Sequence, residues 1–263
     1  MFRILAVGDV VGRPGREALA YFVPKLREER GVDFVVANTE NAASGSGITE
    51  KIFREIRNVG VDVMTMGDHA YKRRESLALY ENEERLLRPS NWPSGAPGRG
   101  ACVVDGPRGV RVGVLHLQGK VFMTAHGDFF VEADKQLEAM KNKADVIIVD
   151  MHAEATSEKI ALSWYLDGRA SLLFGTHTHV PTADAVVRPK GLAYLTDCGM
   201  TGPYDGVIGR VKEAVLKKMR THVHEPFTVA TQDRRLGGVL AEVDERTGKA
   251  VSIEPLWLPM PPS

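Results

Sequence analysis

The strongest constraint on the fold is an alternation of short apolar runs with amphipathic segments along the first third of the chain. The apolar run 2–7 is followed by a loop, and Pro14 then opens a helical pattern that continues to residue 30. Strands that alternate with helices in this way form a largely parallel sheet covered by helices. The sequence therefore predicts an α/β fold. The unit recurs as apolar runs over 32–40 and 61–69, each followed by an amphipathic segment, over 49–60 and 75–87.

A segment rich in proline and glycine divides the chain. Residues 88–100, RPSNWPSGAPGRG, favour a long connection without regular structure. Beyond it we expect an antiparallel pair over 101–105 and 110–118, strands over 144–152 and 171–179, and helices over 132–142 and 157–168. Near the C-terminus we expect antiparallel strands over 227–231, 239–244 and 250–258, a turn at 245–249 and a disordered end over 259–263.

Composition narrows the class of protein. The chain has 263 residues, of which 43% are hydrophobic and 26% charged, so intrinsic disorder is excluded. We expect a single domain over 1–263. Lys plus Arg and Asp plus Glu both number 34, and a neutral chain has no long-range attraction to polyanions. This argues against nucleic-acid binding through charge alone and against an anionic membrane surface, whereas a small ligand and a homo-oligomer stay open.

The cysteines and the hydropathy pattern bear on the cellular compartment. Cys102 and Cys198 are too few for a disulfide scaffold and too far apart for a zinc knuckle, so we expect two buried thiols. Asp9 interrupts the N-terminal apolar run, and no later stretch approaches the roughly 18 apolar residues of a membrane span. We therefore expect a cytoplasmic protein without a membrane segment.

Polar side chains of the kinds that bind metals follow the apolar runs of five predicted strands. In an open α/β sheet, ligands bind in the crevice beyond the carboxyl ends of the strands. We therefore expect these side chains to converge on one site. They are Asp9, Glu40, Asp68, His69, His152, His177 and His179.

The pair His177 and His179 has a spacing that puts both rings on one face of an extended segment. Neutral imidazoles paired in this way suit divalent metal ions, although a polar strand end that faces water is the alternative. His222 and His224 have the same spacing. That pair follows a basic helix instead of a strand, and we do not expect it to bind metal.

Oxygen donors complete the candidate site. The carboxylates of Asp9 and Glu40 and the amide of Asn41, mixed with imidazoles, fit Mn²⁺, Fe or Zn²⁺ better than Ca²⁺. Seven or eight ligands exceed the needs of one ion, whereas two ions about 3.5–4 Å apart that share a carboxylate would use them all. We infer a dinuclear site. The glycine-containing loops match neither the dinucleotide-binding nor the P-loop motif.

Six ordered motifs carry a resemblance to a known family. From Met1 to about Gly209 the chain resembles the YmdB-type branch of the calcineurin-like metallophosphoesterases, and the last 50 or so residues carry no matching motif. The motifs are G-D-V-V-G-R-P-G-R at 8–16, N-T-E-N-A-A-S-G-S-G-I-T at 38–49, G-D-H at 67–69, D-M-H-A-E-A-T-S-E-K at 150–159, G-T-H-T-H-V at 175–180 and G-M-T-G-P-Y-D at 199–205.

The resemblance implies a four-layer αββα sandwich of mixed sheets. It also implies a phosphodiesterase that acts on small or cyclic nucleotides, with 2′,3′-cyclic AMP as the substrate type. Two divalent or mixed-valence metal ions are implied, and we expect iron or manganese, with zinc as the alternative. One ion would be held by Asp9, Glu40, Asn41 and His179, and the other by Glu40, Asp68, His152 and His177, with Glu40 as the bridge.

The expected reaction follows from these ligands. Two cations would acidify a bridging water to hydroxide, which would attack phosphorus in line. His69, placed beside the substrate by the resemblance, would donate a proton to the departing alkoxide; a structural histidine near the metal is the alternative. The same ligands would also serve a phosphomonoesterase, or a regulatory or scaffold protein with little turnover. The complete ligand set favours an enzyme.

Two positions depart from the family's pattern. Where the pattern usually reads G-N-H, this chain has Asp68 before His69, so a third carboxylate opposes the charge of the two ions. We expect tighter metal binding and a weaker attraction of phosphate. Lys72 stands where the family often has an acidic residue, which leaves open the group that orients His69. Asp150 is a candidate to orient a metal ligand, whereas Glu154 is near the site by sequence only.

Overall fold

Two β-sheets organise the chain in the computed structural model, which describes residues 1–124 and 126–261. Over these residues the first sheet has eight strands and the second has six, numbered here in chain order. The first sheet consists of β1 (Phe2–Val7), β2 (Asp9–Val10), β3 (Phe34–Asn38), β4 (Val63–Thr65), β5 (Leu86–Leu87), β12 (Met200–Pro203), β13 (Arg234–Asp244) and β14 (Lys249–Pro259). The second consists of β6 (Ala101–Asp105), β7 (Arg111–Gln118), β8 (Val146–His152), β9 (Leu172–Thr176), β10 (Val186–Val187) and β11 (Ala193–Leu195).

Both sheets are mixed. Strands β1, β3, β4 and β5 run parallel in that order, and β13 pairs antiparallel with β1, with Leu5 opposite Leu240. In the second sheet, β7, β8, β9 and β11 are parallel, while β6 and β10 add antiparallel edges. The predicted antiparallel pair over 101–105 and 110–118 is confirmed as β6 and β7. The parallel strands bring their carboxyl ends to one rim, where the candidate site lies.

Helices cover the outer faces of the sheets. In the first third of the chain, Thr49 caps α2 by accepting a hydrogen bond from Ile52 N, and Gly60 ends it in a left-handed conformation. No helix in the described part of the chain is long and apolar enough to cross a membrane. The helices are α1 (Gly12–Arg30), α2 (Glu50–Val59), α3 (Leu77–Asn82), α4 (Phe129–Met140), α5 (Thr156–Tyr165) and α6 (Lys212–Thr221).

Buried side chains form three layers of core. Along β1, Leu5 and Val7 pack in a cluster with Leu19 of α1, whereas Ile4 and Ala6 point the other way into a cluster that includes strands of the second sheet. A third cluster joins the second sheet to α4 and α5. Helix, sheet, sheet and helix are therefore stacked, which confirms the predicted four-layer αββα sandwich.

Several predicted elements differ in extent. The helix predicted over 75–87 ends at Asn82 in the structure. The last two residues of the predicted range, Leu86 and Leu87, form β5, which extends the parallel sheet. The strand predicted over 227–231 does not form. Within this segment, Val229 makes only an isolated bridge with Arg210. Residues 88–100 connect the two sheets without a helix or a strand, as predicted.

The C-terminal strands return to the first sheet. The predicted turn at 245–249 joins β13 to β14, and β13 inserts beside β1. Pro259 ends β14 and Met260 N donates to Arg234 O, so the expectation of disorder is wrong at these two positions. Pro262 and Ser263 lie outside the described residues.

Candidate metal centre

The candidate ligands lie where strands of both sheets end at a shared rim. The first sheet contributes the oxygen donors and His69, because the loops after β1, β3 and β4 open there, and the second sheet contributes the other imidazoles. Asp9 follows β1, Glu40 and Asn41 follow β3, Asp68 and His69 occupy a 3₁₀ turn after β4, His152 ends β8, and His177 and His179 follow β9. Two sheets that face each other thus bring together side chains that are far apart in sequence.

The ligand atoms form two groups in the described part of the chain, and within each group all of the atoms lie within 4.8 Å of one another. Glu40 belongs to both groups, and its side chain is only 2% exposed. Such an arrangement suits a carboxylate shared between two cations. The groups are Glu40, Asp68, His152 and His177, and Asp9, Glu40 and His179.

The contacts of His179 show that its Nε2 is free to bind a cation. Its Nδ1 lies 3.1 Å from Ile208 O, and since a carbonyl only accepts, Nδ1 is the donor. Burial lowers the pKa of His179, which favours the neutral ring with a lone pair on Nε2. That nitrogen lies 3.1 Å from Asn41 Oδ1. Two acceptors that face each other in this way are satisfied by a cation between them, so these residues fit a metal site.

A buried hydrogen-bond chain also orients His152 so that its Nδ1 carries the hydrogen and its Nε2 faces the site. Thr176 Oγ1 donates to Asp150 Oδ1 at 2.7 Å, so the 2.8 Å contact with His152 Nδ1 places the ring hydrogen on Nδ1. His152 Nε2 then faces the carboxylates, 3.1 Å from Asp68 Oδ1 and 3.2 Å from Glu40 Oε2. Asp150 can thus orient the ring of His152 through Thr176, the role suggested for it from the sequence. Carboxylates that orient metal-binding histidines commonly act in this way.

The electrostatics of the centre favour the binding of a cation. Burial raises the pKa of Asp9 to about 7, His152 opposes that rise, and the neighbouring carboxylates of Asp197 and Glu40 add to it. Although burial lowers the pKa of His152, the carboxylates of Glu40 and Asp68 hold it well above its usual range. The buried carboxylates of Asp9 and Glu40, with that of the half-buried Asp68, therefore attract a cation, a requirement that divalent metals satisfy.

Gly67 leaves room at the centre. It adopts a left-handed conformation with φ of 70°. A Cβ at this position would overlap His152 Nε2 and Glu40 Oε2. Any other residue would thus strain the backbone and displace two candidate ligands.

His177 and His179 reach the site by a route that differs from the prediction. Strand β9 ends at Thr176, and the two histidines have φ of 98° and 64°, so they do not share a face of an extended segment. They point into different ligand groups because the backbone turns between them. The prediction that both lie at the site is supported, but its geometrical reason is wrong.

A buried ion pair that the sequence analysis missed holds this turn. Lys159 of α5 is fully buried and its Nζ lies 2.7 Å from Asp197 Oδ2. The same oxygen accepts from Thr178 Oγ1 at 2.8 Å and from Thr178 N at 3.3 Å. Thr178 is the residue between the two histidines, so the ion pair fixes the conformation of the turn. Lys159 shares a helical face with the buried Leu162 and Leu166, and a lysine on an apolar face was the signal available.

Glu154 was expected to be near the site by sequence only, which is wrong. Its Oε2 lies 3.3 Å from His177 Nε2, on the side of the ring away from His152. His177 Nδ1 faces the centre, 3.1 Å from His152 Nε2 and 3.4 Å from Asp68 Oδ1. Glu154 therefore orients His177 from outside the ligand group.

His69 is oriented by Glu40 and Asn41. Its Nδ1 lies 2.9 Å from Asn41 Nδ2 and 3.3 Å from Glu40 Oε1, while the side chain is 28% exposed. Lys72, which departs from the family's pattern, is exposed. Burial lowers the pKa of His69, but the neighbouring carboxylates of Glu40 and Asp68 raise it by more.

The remaining histidines lie apart from this cluster or beneath it. His116 is fully buried and its Nε2 accepts from Gly67 N at 2.9 Å, so it supports the turn that carries Asp68 and His69. His222 and His224 are exposed after α6 and belong to neither ligand group among the residues described. Cys102 and Cys198 are buried free thiols, as expected.

Comparison with solved structures identifies the class of protein. A structure described as a novel phosphatase from Mycoplasma pneumoniae matches with a TM-score of 0.91 and 32% identity, over 98% of this chain and 93% of that one. A hypothetical protein from Thermus thermophilus matches with a TM-score of 0.92 and 41% identity, over 99% of this chain and all of that one. With two sheets whose rims gather carboxylates and imidazoles, this chain is an enzyme of the phosphoesterase class.

Its family is defined by sequence. A family model described as YmdB-like protein matches residues 5–256, and the chain belongs to that family. It is 46% identical over 252 residues to the 2′,3′-cyclic-nucleotide 2′-phosphodiesterase of Bacillus subtilis (strain 168). The aligned region covers 96% of this chain and 95% of the relative. The family match continues well past Gly209, where the recognisable motifs end, and includes β13 and most of β14.

Proposed function

We propose that the chain is a phosphodiesterase that hydrolyses small or cyclic nucleotides, with 2′,3′-cyclic AMP as the representative substrate, at a dinuclear metal centre. The observation that carries this proposal is that Glu40 is shared by two adjoining ligand groups at the rim of both sheets. The name of the Bacillus subtilis relative supports the choice of a cyclic nucleotide.

Each side chain has a defined task in this proposal. Asp9, Asn41 and His179 would hold one ion, Asp68, His152 and His177 would hold the other, and Glu40, which belongs to both groups, would be shared. When bound, the ions supply positive charge to the phosphate oxygens and activate the attacking water. His69, which lies between Glu40 and Asp68 at the open side of the site, donates a proton to the departing alkoxide.

The donor set and the fold support three finer proposals. Mixed carboxylate, amide and imidazole ligands suit iron or manganese, with zinc as the alternative. The chain acts as a single catalytic domain, because β13 and β14 return to the first sheet beside β1. It works in the cytoplasm, where the buried thiols of Cys102 and Cys198 stay reduced.

The test is the initial rate of 2′,3′-cyclic AMP hydrolysis by metal-reconstituted protein, compared with 2′-AMP and 3′-AMP under identical conditions. We expect the cyclic nucleotide to be hydrolysed much faster than either monoester. A faster rate on the monoesters would identify a phosphomonoesterase. Failure on all three with metal verifiably bound would favour a regulatory or scaffold role.

The general-acid role of His69 predicts a dependence on the leaving group. His69→Ala should slow hydrolysis of 2′,3′-cyclic AMP by about 10²–10⁴-fold, since an alkoxide needs a proton as it departs. A p-nitrophenyl phosphodiester has a leaving group that departs without protonation, so its turnover should fall much less. Equal losses on both substrates would contradict the role and favour a structural histidine.

Asp68→Asn should change metal affinity and turnover in opposite directions. Asp68 lies 3.1 Å from His152 and 3.4 Å from His177, so Asp68→Asn removes negative charge without changing the shape of the site. We expect the variant to bind the second ion more weakly and, at saturating metal, to turn over phosphodiesters faster, because the field at the phosphate is more positive. Lower turnover with unchanged metal content would contradict this explanation.

A further inference from the structure

An apolar cavity of about 250 Å³ opens directly beside the candidate metal centre. His179, a candidate ligand, forms one wall, and the others come from segments that the catalytic proposal does not use. Tyr204 follows β12, Ile208 lies in the next loop, and Trp257 lies on β14. The segments 179–181 and 200–208 and residue Trp257 therefore build this cavity at the edge of the site.

The walls of the cavity are held in place. The rings of Tyr204 and Trp257 meet edge to face with centroids 5.5 Å apart. The guanidinium of Arg235 lies 4.6 Å from the Trp257 centroid and 5.3 Å from that of Tyr204, and it is paired with Asp233. A cation stacked on both rings stabilises their orientation, so the cavity presents preformed aromatic surface instead of a mobile side chain.

His179 belongs both to the wall of the cavity and to the candidate metal centre. Its Nδ1 donates to Ile208 O, while its Nε2 belongs to the ligand group with Asp9 and Glu40. Ile208 has a φ of 43°, so its loop is held in a left-handed conformation at the point where it meets this histidine. A molecule whose phosphate lies at the metal centre would place its adjoining ring system against Ile208 and Trp257.

The size and chemistry of the cavity fit one ring system. Its volume lies slightly below the roughly 300–1,000 Å³ of pockets that enclose a whole small-molecule ligand. The hydroxyl of Tyr204 already donates to Met200 O at 2.8 Å, so its hydrogen is engaged and the ring offers mainly its apolar surface. Trp257 is 49% exposed, so part of its ring surface is accessible to a ligand.

We propose that this cavity, walled by Trp257, Tyr204 and Ile208 beside His179, binds the nucleobase of the substrate by stacking. The inference rests on the proposed function, and it deepens that function by naming the residues that recognise the nucleoside. Aromatic stacking reads the face of a base and tolerates every base. The enzyme therefore distinguishes nucleotides from base-free phosphodiesters, and it separates one base from another only weakly.

The test is Trp257→Ala, with Trp164→Ala as the matched control. Trp164 is also an exposed tryptophan, 55% accessible and stacked under Arg188, but it does not line the cavity. We expect Trp257→Ala to raise the KM for 2′,3′-cyclic AMP about tenfold, equivalent to about 1.4 kcal/mol, with kcat changed less than twofold. The KM for the base-free methyl riboside 2′,3′-cyclic phosphate should not change, and Trp164→Ala should match the wild type on both substrates.

A binding measurement separates this inference from the proposed function. The Kd of AMP for the metal-loaded protein, measured by calorimetry, should rise about tenfold in Trp257→Ala even if neither cyclic substrate is hydrolysed. An unchanged Kd and KM would overturn the base-binding role, as would an equal rise in KM on the nucleotide and on the base-free substrate. A change in the oligomeric state of Trp257→Ala without a change in Kd would show that the cavity instead receives a second copy of the chain.

Discussion

Glu40→Gln should lower the turnover of 2′,3′-cyclic AMP by roughly 10³-fold and lower the metal content with it. The metal ions supply several kcal/mol of transition-state stabilisation, and each 1.36 kcal/mol lost is about a factor of ten. Glu40 is the one side chain common to both ligand groups of the described residues, so its replacement weakens both ions at once. The measurements are the initial rate and the metal content per chain, which should fall together.

The stability of the same variant distinguishes a ligand from a structural carboxylate. In the metal-free protein, burial raises the pKa of Glu40, but His152 and His69 lower it below its usual range, so Glu40→Gln removes favourable contacts with both rings. We expect the metal-free Tm of the variant to fall below that of the wild type, and its stabilisation by added metal to be smaller. Glu138→Gln on the exposed face of α4 is the control and should change none of these quantities. A full complement of metal in Glu40→Gln would contradict the bridging role.

Lys159→Met should cause the second large effect, on stability and on metal binding together. It leaves Asp197 as a buried carboxylate without its cation, which costs about 3–5 kcal/mol and lowers the Tm by on the order of 10 °C. Because Asp197 holds Thr178 between His177 and His179, metal affinity should also fall, by about 10–100-fold. Thermal unfolding and metal titration measure the two effects.

Two further variants separate the buried pair from charge in general. Lys159→Met combined with Asp197→Asn removes both charges, and we expect it to recover much of the lost stability but less of the metal affinity. Lys141→Met breaks an exposed pair with Glu138 and should cost under about 1 kcal/mol. If Lys159→Met lowered the Tm and left metal affinity unchanged, the ion pair would be structural only.

The alternation of apolar runs and amphipathic segments predicted the α/β class, whereas the four layers followed only from the resemblance to a known family. Along β1, successive side chains enter two different cores, and for that reason residues 2–7 form an almost continuous apolar run. The position of β13 beside β1 could not be predicted in the same way, since pairing between residues more than 230 positions apart has no local signal. The failure of 227–231 to form a strand has a related cause, because the segment has apolar residues but only an isolated bridge to Arg210.

The candidate ligands were predictable because strand ends and motif order both mark them. The groups that orient them were not, since Lys159, Glu154 and Thr176 act through contacts between segments that come together only when the second sheet has formed. The cavity beside His179 is a further case. Only the return of β14 to the first sheet brings Trp257 beside the site, and that return has no local signal in the sequence.

The most direct test of the central claim is a titration of the metal-free protein with Mn²⁺, followed by the initial rate of 2′,3′-cyclic AMP hydrolysis. Two ligand groups that share Glu40 predict that activity is negligible without metal and saturates at two equivalents per chain. Saturation at one equivalent, or hydrolysis that is independent of metal, would contradict the dinuclear account.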